Sequence, residues 1–281
     1  MKFLPGSYLI AALTAAMLVT GCASLRGGGD AAQTAAANRI IQAYDVPELL
    51  TQAAPAVRKS LDNNLPDSVG SAERQRLNGI VEDVYAPLAL RQDVVERLSA
   101  QAAETGHEAA LVEAADALET PLAKRMIALE GAVSDQNFGQ GFNSFIDKPA
   151  SDARKRRLRI IDGLAADMQV VDLQTDFNLT LLESMIRARN ATVGTSQEVG
   201  EPQIERMLSN TREGIRDKLE QQVPLMLLYV YRDVDQQALQ DYADLQAQPG
   251  LAWVNRALEQ AITQTLAAAS EKIPNRYKEN R

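Results

Sequence analysis

Histidine and cysteine are almost absent from this chain, which has one of each, His107 and Cys22, and only 5% of its residues are aromatic. A metal or nucleophilic centre needs several histidine, cysteine or acidic side chains that converge on one point, so this composition argues against both. Few aromatics beside abundant alanine and leucine favour helix over sheet. Basic residues are outnumbered 29 to 37, and the net charge of −8 disfavours nucleic acid as a partner.

The chain begins with an apolar leader that ends at its single cysteine. Lys2 precedes an uncharged stretch from Phe3 to Gly21 that is rich in leucine, alanine and valine. A positive start, an apolar middle and a small residue before the cut are typical of a secretory signal. The last five residues, Leu18-Val19-Thr20-Gly21-Cys22, resemble the lipobox of bacterial lipoproteins, whose cysteine carries a thioether-linked diacylglycerol. We therefore expect residues 1–21 to be removed as a lipoprotein signal peptide.

Acylation of Cys22 would attach the mature protein to a membrane. Several acyl chains hold a protein durably, because each buried methylene contributes roughly 0.8 kcal/mol. In the lipoproteins that this chain resembles, an aspartate after the cysteine retains the protein in the inner membrane, and Ala23 stands there instead. The resemblance implies an outer-membrane lipoprotein on the periplasmic side of a Gram-negative bacterium. With its only thiol acylated, the chain has no disulfide, thiol catalysis or cysteine metal site.

Helical patterns follow one another along the mature chain, which is long enough for one sizeable domain or two small ones. Apolar residues recur at three- and four-residue spacing, and proline, glycine and asparagine mark the breaks. We predict an all-α fold of about ten helices in two related halves, built from antiparallel helical hairpins. Its parts are a flexible tether at 22–37, an N-terminal half at 38–135, a junction at 136–150, a C-terminal half at 151–273 and a polar tail at 274–281.

Prolines mark several of the predicted helix boundaries. Pro121 and Pro249 each predict the start of a helix after a polar break. Pro202 opens a long helix, within which Pro224 predicts a kink or a split. The run after that proline, Leu225–Tyr231, is the most apolar of the mature chain but is shorter than the roughly 20 residues of a membrane span. It is either a buried helix turn or a patch that touches a membrane.

Two parts of the sequence resemble each other. Ala110–Asp116 aligns with Ala238–Asp244 at an offset of 128 positions, without a gap as far as the proline that follows each segment. Upstream, Arg39-Ile40-Ile41 aligns with Arg159-Ile160-Ile161 at an offset of 120. Solenoid repeats are about 20 to 50 residues long, so these offsets predict one duplicated unit rather than a solenoid.

The segments Leu111–Met126 and Leu239–Val254 resemble the helix, short proline turn and helix of the family called domain of unknown function 2059. Gly250 follows the second proline as in the family pattern, whereas Leu122 stands after the first. The family consists of exported helical proteins of Gram-negative bacteria, so the resemblance implies a helical fold and export. No activity is established for the family, and the resemblance therefore implies no catalytic residue.

A few side chains are candidates for binding. Glu113 with Asp116, and Asp241 with Asp244, place paired carboxylates on one helix face, which solvated faces also do routinely. His107 is expected to be a loop or cap residue. The densest basic run could neutralise acidic neighbours or contact anionic lipid head groups, at roughly 1 kcal/mol per basic residue. This run comprises Arg154, Lys155, Arg156, Arg157 and Arg159.

These observations predict a non-enzymatic envelope protein, anchored by lipid, that acts as an interaction or scaffold protein for an envelope partner. No metal or cofactor is expected. The alternative is a helical carrier that binds a lipid or other apolar ligand between its two halves, for which Leu225–Tyr231 and Met185 would supply apolar surface. A carrier predicts a continuous apolar cavity, whereas a scaffold predicts an exposed apolar patch.

Overall fold

The computed structural model describes residues 28–65, 69–131, 138–147, 151–192 and 198–279. The predicted signal peptide, residues 1–21, and the predicted lipidation site Cys22 lie outside the described residues. Within these ranges the chain forms thirteen α-helices and no strand, which confirms the all-α prediction. The helices are α1 (Gly28–Ala43), α2 (Val46–Thr51), α3 (Ala53–Asn64), α4 (Ser71–Val84), α5 (Pro87–Thr105), α6 (Glu108–Leu118), α7 (Pro121–Gly131), α8 (Phe138–Ile146), α9 (Asp152–Asp167), α10 (Val170–Thr192), α11 (Glu201–Val230), α12 (Gln236–Gln246) and α13 (Pro249–Glu279).

The start of the described chain differs from the predicted tether. α1 begins at Gly28, inside the segment predicted to be flexible, and it buries Ala36 and Ala37. Small side chains let α1 pack closely on α6. The prediction of a flexible tether is therefore wrong for residues 28–37, because an alanine-rich stretch with few large apolar side chains still buries surface at a close helix contact.

Three other boundaries also differ from their predictions. α13 continues beyond residue 273 to Glu279, since Tyr277 is buried and its hydroxyl donates to the Glu73 carboxylate. Most of the predicted polar tail is therefore helical. α11 is one continuous helix across Pro224, so the predicted split does not occur. α8 lies in the segment predicted as a junction.

The chain divides into two compact units, and each is assembled from three separate stretches. The long helices α5, α11 and α13 contribute residues to both units. The units therefore alternate along the chain and do not coincide with the predicted consecutive halves. Unit 1 contains the described residues of Met1–Leu49, Ser99–Met168 and Val223–Asn255, and unit 2 those of Leu50–Leu98, Gln169–Gln222 and Arg256–Arg281.

The helices of unit 1 follow the internal alignment. α6 and α12 are both 11 residues long and start at Glu108 and Gln236, which align at the offset of 128. α7 and α13 start at the aligned residues Pro121 and Pro249. α1 packs on α6 and α9 packs on α12, as expected if the two Arg-Ile-Ile segments are equivalent. Helix bounds and helix partners thus agree with the alignment, and a duplication remains the hypothesis that explains both.

The most apolar run of the mature chain belongs to the core of unit 1. Met226, Leu227, Leu228 and Val230 are all buried, and Tyr231 is fully buried. This is the buried helix turn that was one of the two interpretations of the sequence. Among the described helices, none has both the length and the apolar character that a membrane span requires.

Leu111→Ala in α6 is expected to lower the free energy of unfolding by about 2–5 kcal/mol, because Leu111 is fully buried and its truncation leaves a cavity. Leu88→Ala in α5 is the matched control, since Leu88 is 78% exposed and should change stability by less than about 0.5 kcal/mol. Urea unfolding followed by circular dichroism measures both. Equal effects of the two substitutions would contradict this account of the core.

Candidate functional site

Two of the five basic side chains at the start of α9 serve the fold of unit 1. Arg157 donates to the carbonyls of Tyr231, at 2.6 Å, and Val234, at 2.8 Å, just beyond the end of α11. Both carbonyls belong to the turn that follows α11, so this guanidinium holds that turn against α9. Arg154 donates to the Phe145 carbonyl at 3.2 Å and lies 4.7 Å above the centre of the Phe145 ring.

The other three basic side chains are exposed. Lys155 lies 3.5 Å from the Asp152 carboxylate. Arg156 and Arg159 form no hydrogen bond or ion pair with any described residue. Of the five side chains predicted to contact head groups, three are therefore exposed. Arg154 and Arg157 are half-buried, because each takes part in a tertiary contact.

A surface groove lies between α9 and α12 of unit 1, and Arg156 and Arg159 are among the residues that line it. It has a volume of about 470 Å³ and is open to solvent. Small and apolar residues of both helices line it together with two arginines, two aspartates and two glutamines. Its lining consists of Arg156, Arg159, Ile160, Gly163, Leu164, Asp167, Gln236, Gln240, Ala243, Asp244 and Ala247.

The lining of the groove carries both signs of charge beside its small and apolar residues. The Asp244 carboxylate accepts a hydrogen bond from Gln240 Nε2 at 2.8 Å, within α12. Among the described residues, none binds the Arg156 or Arg159 guanidinium. An open groove of this kind suits a charged or polar ligand better than a lipid chain, which needs enclosing apolar walls.

The buried face of α12 contains a carboxylate–tyrosine cluster. Glu130, at the end of α7, accepts hydrogen bonds from the hydroxyls of Tyr231 and Tyr242, the latter at 3.1 Å. Both tyrosines are fully buried, and their rings meet edge to face with centroids 6.3 Å apart. Burial raises the pKa of Glu130 to about 7, although the two hydroxyls favour its ionised form. No described cation forms an ion pair with this carboxylate.

A second polar set continues this cluster along α12. The Tyr44 hydroxyl lies 2.8 Å from Asn255 Oδ1 and 3.1 Å from Gln246 Oε1. Asn255 Nδ2 lies 3.0 Å from that same Gln246 oxygen and 3.0 Å from the Asp167 carbonyl. These contacts connect α12 with the ends of α1 and α9 and with α13. They make the cluster a structural element of unit 1, since it hydrogen bonds to itself and to the backbone.

The acidic candidates from the sequence have other partners in the structure. Asp116 pairs with Arg39 instead of acting with Glu113. Asp241 accepts from Gln237 at 2.8 Å. The described residues contain no group of three potential metal ligands among histidine, cysteine and acidic side chains.

His107 directly precedes α6, in the cap position that the sequence predicts. Its side chain makes no capping hydrogen bond, and its ring stacks on Trp253, with centroids 4.5 Å apart.

Sequence reasoning missed Glu130 as an unusual side chain. It stands at the end of an ordinary amphipathic helix, and both of its partners lie more than 100 positions away. No local pattern signals such a contact. Of the residues that line the groove, the sequence singles out Arg156, Arg159 and Asp244, but it does not place them together.

Glu130→Gln is expected to flatten the dependence of stability on pH. The folded-state pKa of about 7 lies above the ordinary value of 4.5, so this group's contribution to stability is complete below about pH 4.5 and is lost as the pH rises through 7. The loss is at most about 3 kcal/mol. Between pH 5 and pH 8 the native protein should lose more stability than the glutamine variant, as urea unfolding at both pH values measures.

Glu113→Gln is the control, because it removes the same charge from an exposed position on unit 1. It should leave the pH dependence of the native protein unchanged. If Glu130→Gln also leaves it unchanged, the titration belongs to another group, such as Glu259 in unit 2. Burial and the neighbouring Asp176 and Asp172 carboxylates raise the pKa of Glu259 to about 7 as well.

Comparisons of the chain with protein-family models, with curated proteins and with solved structures find no match. The resemblance to the domain of unknown function 2059 family therefore stays a prediction from the sequence, and the function has to be inferred from the residues of this chain.

Proposed function

We propose that the protein is a lipoprotein of the outer membrane, anchored through Cys22 on the periplasmic side, that binds an envelope partner through the groove between α9 and α12. It acts as an interaction protein and not as an enzyme. The observation that carries this proposal is the pair of exposed guanidiniums, Arg156 and Arg159, which line the groove without a partner among the described residues. Exposed charged groups in a concave surface favour recognition of a ligand with complementary charge.

The exposed surface favours a polar interaction over an apolar one. The large apolar side chains that are exposed among the described residues are Leu88 and Met207, which lie on different helices. Scattered single side chains of this kind are normal on a protein surface. The apolar patch expected of a scaffold is thus lacking in the part of the chain that the structure describes, and the groove is the better supported surface.

The packing of the Leu225–Tyr231 run disfavours the carrier alternative. Those side chains were its main support, and most of them are core residues of unit 1. Met185, the other residue that suggested apolar surface, is only half-buried. A lipid carrier therefore remains the weaker proposal.

The bounds of α1 limit how far unit 1 can lie from an anchoring lipid. Only residues 23–27 separate Cys22 from the first residue of α1. The six residue steps from Cys22 to Gly28 extend at most roughly 22 Å, even when the backbone is fully stretched. With Cys22 acylated, the start of α1 would therefore stay within that distance of the head groups.

Cys22→Ser is expected to release the protein from the membrane, because the acyl chains are its proposed anchor. Fractionation of cells and labelling with radioactive palmitate measure the outcome. Ser24→Ala is the matched control and should remain labelled and membrane-bound. Ala23→Asp should move the labelled protein to the inner-membrane fraction of a density gradient. Retention of the Cys22→Ser protein in the membrane would contradict the anchor.

Photo-crosslinking in cells tests the groove. A photoreactive amino acid at Gln240, which lines the groove, is expected to crosslink to a partner protein. Gln237 is the control position, since it is exposed on the same helix but does not line the groove. The Gln240 crosslink should disappear when Arg156 and Arg159 are both replaced by glutamine. The same crosslinks from both positions, or none from Gln240, would contradict binding in the groove.

A further inference from the structure

The first copy of the internal alignment contains a closed ion pair. Arg39 Nη2 lies 2.7 Å from the Asp116 carboxylate, and Arg39 Nε lies 2.6 Å from the Glu119 carboxylate. The hydrogen bond from Arg39 lowers the pKa of Glu119. One carboxylate of α6 and one directly after it thus share a single guanidinium of α1.

The second copy keeps the arginine but loses its partners. By the offsets of the alignment, Arg159, Asp244 and Ala247 correspond to the arginine, aspartate and glutamate of that ion pair. Alanine has no carboxylate, and Asp244 is engaged by Gln240 within α12. Arg159 has no hydrogen bond or ion pair to any described residue. Within the described residues, the second copy therefore leaves unpaired the guanidinium that the first copy pairs with two carboxylates.

Two further differences between the copies open the second one. Ala36 is buried in α1, whereas Arg156 at the aligned position of α9 is exposed and lines the groove. Ile40 is fully buried, whereas the aligned Ile160 is only half-buried and also lines the groove. The α9–α12 pair thus has an open groove with an additional guanidinium where the α1–α6 pair is closely packed.

We propose that the groove binds a carboxylate side chain from an acidic segment of another protein, which pairs with Arg159 as Glu119 pairs with Arg39 in the first copy. This inference rests on the proposed function and names the chemistry of its partner. Arg156 adds a second donor group beside it. The guanidinium fork matches the two oxygens of a carboxylate and provides a charge-assisted pair of hydrogen bonds.

The aspartates of the groove favour a carboxylate over a phosphate. Asp167 and Asp244 also line the groove, so a bound anion meets negative charge as well as the two guanidiniums. The repulsion grows with the charge of the ligand, and a phosphate group carries up to two negative charges. A single carboxylate carries one negative charge, as Glu119 does, and is therefore repelled less by the two aspartates than a phosphate group would be.

Ala247→Glu is the decisive variant, because it restores the missing carboxylate at the position equivalent to Glu119. The new side chain should pair with Arg159 and exclude the ligand from the groove. Ala247→Gln is the matched control, since it has nearly the same size and no charge. Ala247 directly follows α12 and is exposed, so neither substitution should disturb the core, which circular dichroism can verify.

Binding is measured with the full-length acylated protein in an uncharged detergent. The probe is an acetylated hexapeptide of alternating glutamate and glycine that carries a neutral fluorophore, and its glutamine counterpart is the control. Fluorescence anisotropy should show binding of the glutamate peptide only. Replacing Arg159 by glutamine should weaken binding roughly tenfold, as expected for loss of one partner of a charge pair. Ala247→Glu should weaken it at least as much, and Ala247→Gln should bind like the native protein.

Three results would overturn the inference. The first is equal binding of the glutamate and glutamine peptides, and the second is equal behaviour of the two Ala247 variants. The third is the absence of peptide binding together with Arg159-dependent binding to phosphatidylglycerol vesicles, which would assign the groove to lipid head groups. If Gln240 of the native protein crosslinks to a protein but the glutamate peptide does not bind, the carboxylate alone is refuted. If Gln240 of the native protein forms no crosslink at all, the proposed function is refuted as well.

Discussion

The hydrogen bonds that Glu130 accepts from Tyr231 and Tyr242 connect α7 of unit 1 with the turn after α11 and with α12. The shape of the groove depends on the position of α12, because this helix forms one of its two sides. A carboxylate below the surface is costly unless donors surround it, so this cluster constrains the positions of all its members. Tyr242 and Gln246 face inward from α12, whereas Asp244 of the same helix and Ala247 directly after it line the groove. The polar contacts on the buried side of α12 thus constrain the helix whose opposite side lines the groove.

The basic run of α9 shows how tertiary contacts select among identical side chains. Arg157 caps carbonyls beyond α11, and Arg154 lies against Phe145, while Arg156 and Arg159 face the groove. The helical period places Arg154 and Arg157 on one face of α9 and Arg156 and Arg159 on another. A run that appears uniform in sequence is therefore divided between stabilising the unit and presenting charge to solvent.

The two aligned helix pairs of unit 1 differ at surface positions around an arginine that both pairs contain. The arginine of the first pair, Arg39, forms ion pairs with two carboxylates. The aligned arginine of the second pair has no ion pair with a described residue, because alanine stands in place of the glutamate and Gln240 donates to the aspartate. The buried positions are more similar, since Ile41 and Ile161 are both fully buried. Surface positions could diverge because their side chains contribute little to the stability of the fold.

The sequence by itself determined the helical class, most helix boundaries and the internal alignment. These properties are local, since apolar periodicity and proline positions such as Pro121 and Pro249 act within a few residues. Only the tertiary structure decided which residues outside those patterns are buried and which charges stay open. Ala36 packs in a segment that lacks a strong apolar pattern, and Glu130 and Arg157 meet partners more than 70 positions away. Contacts at that separation depend on how whole helices pack, which no local pattern encodes.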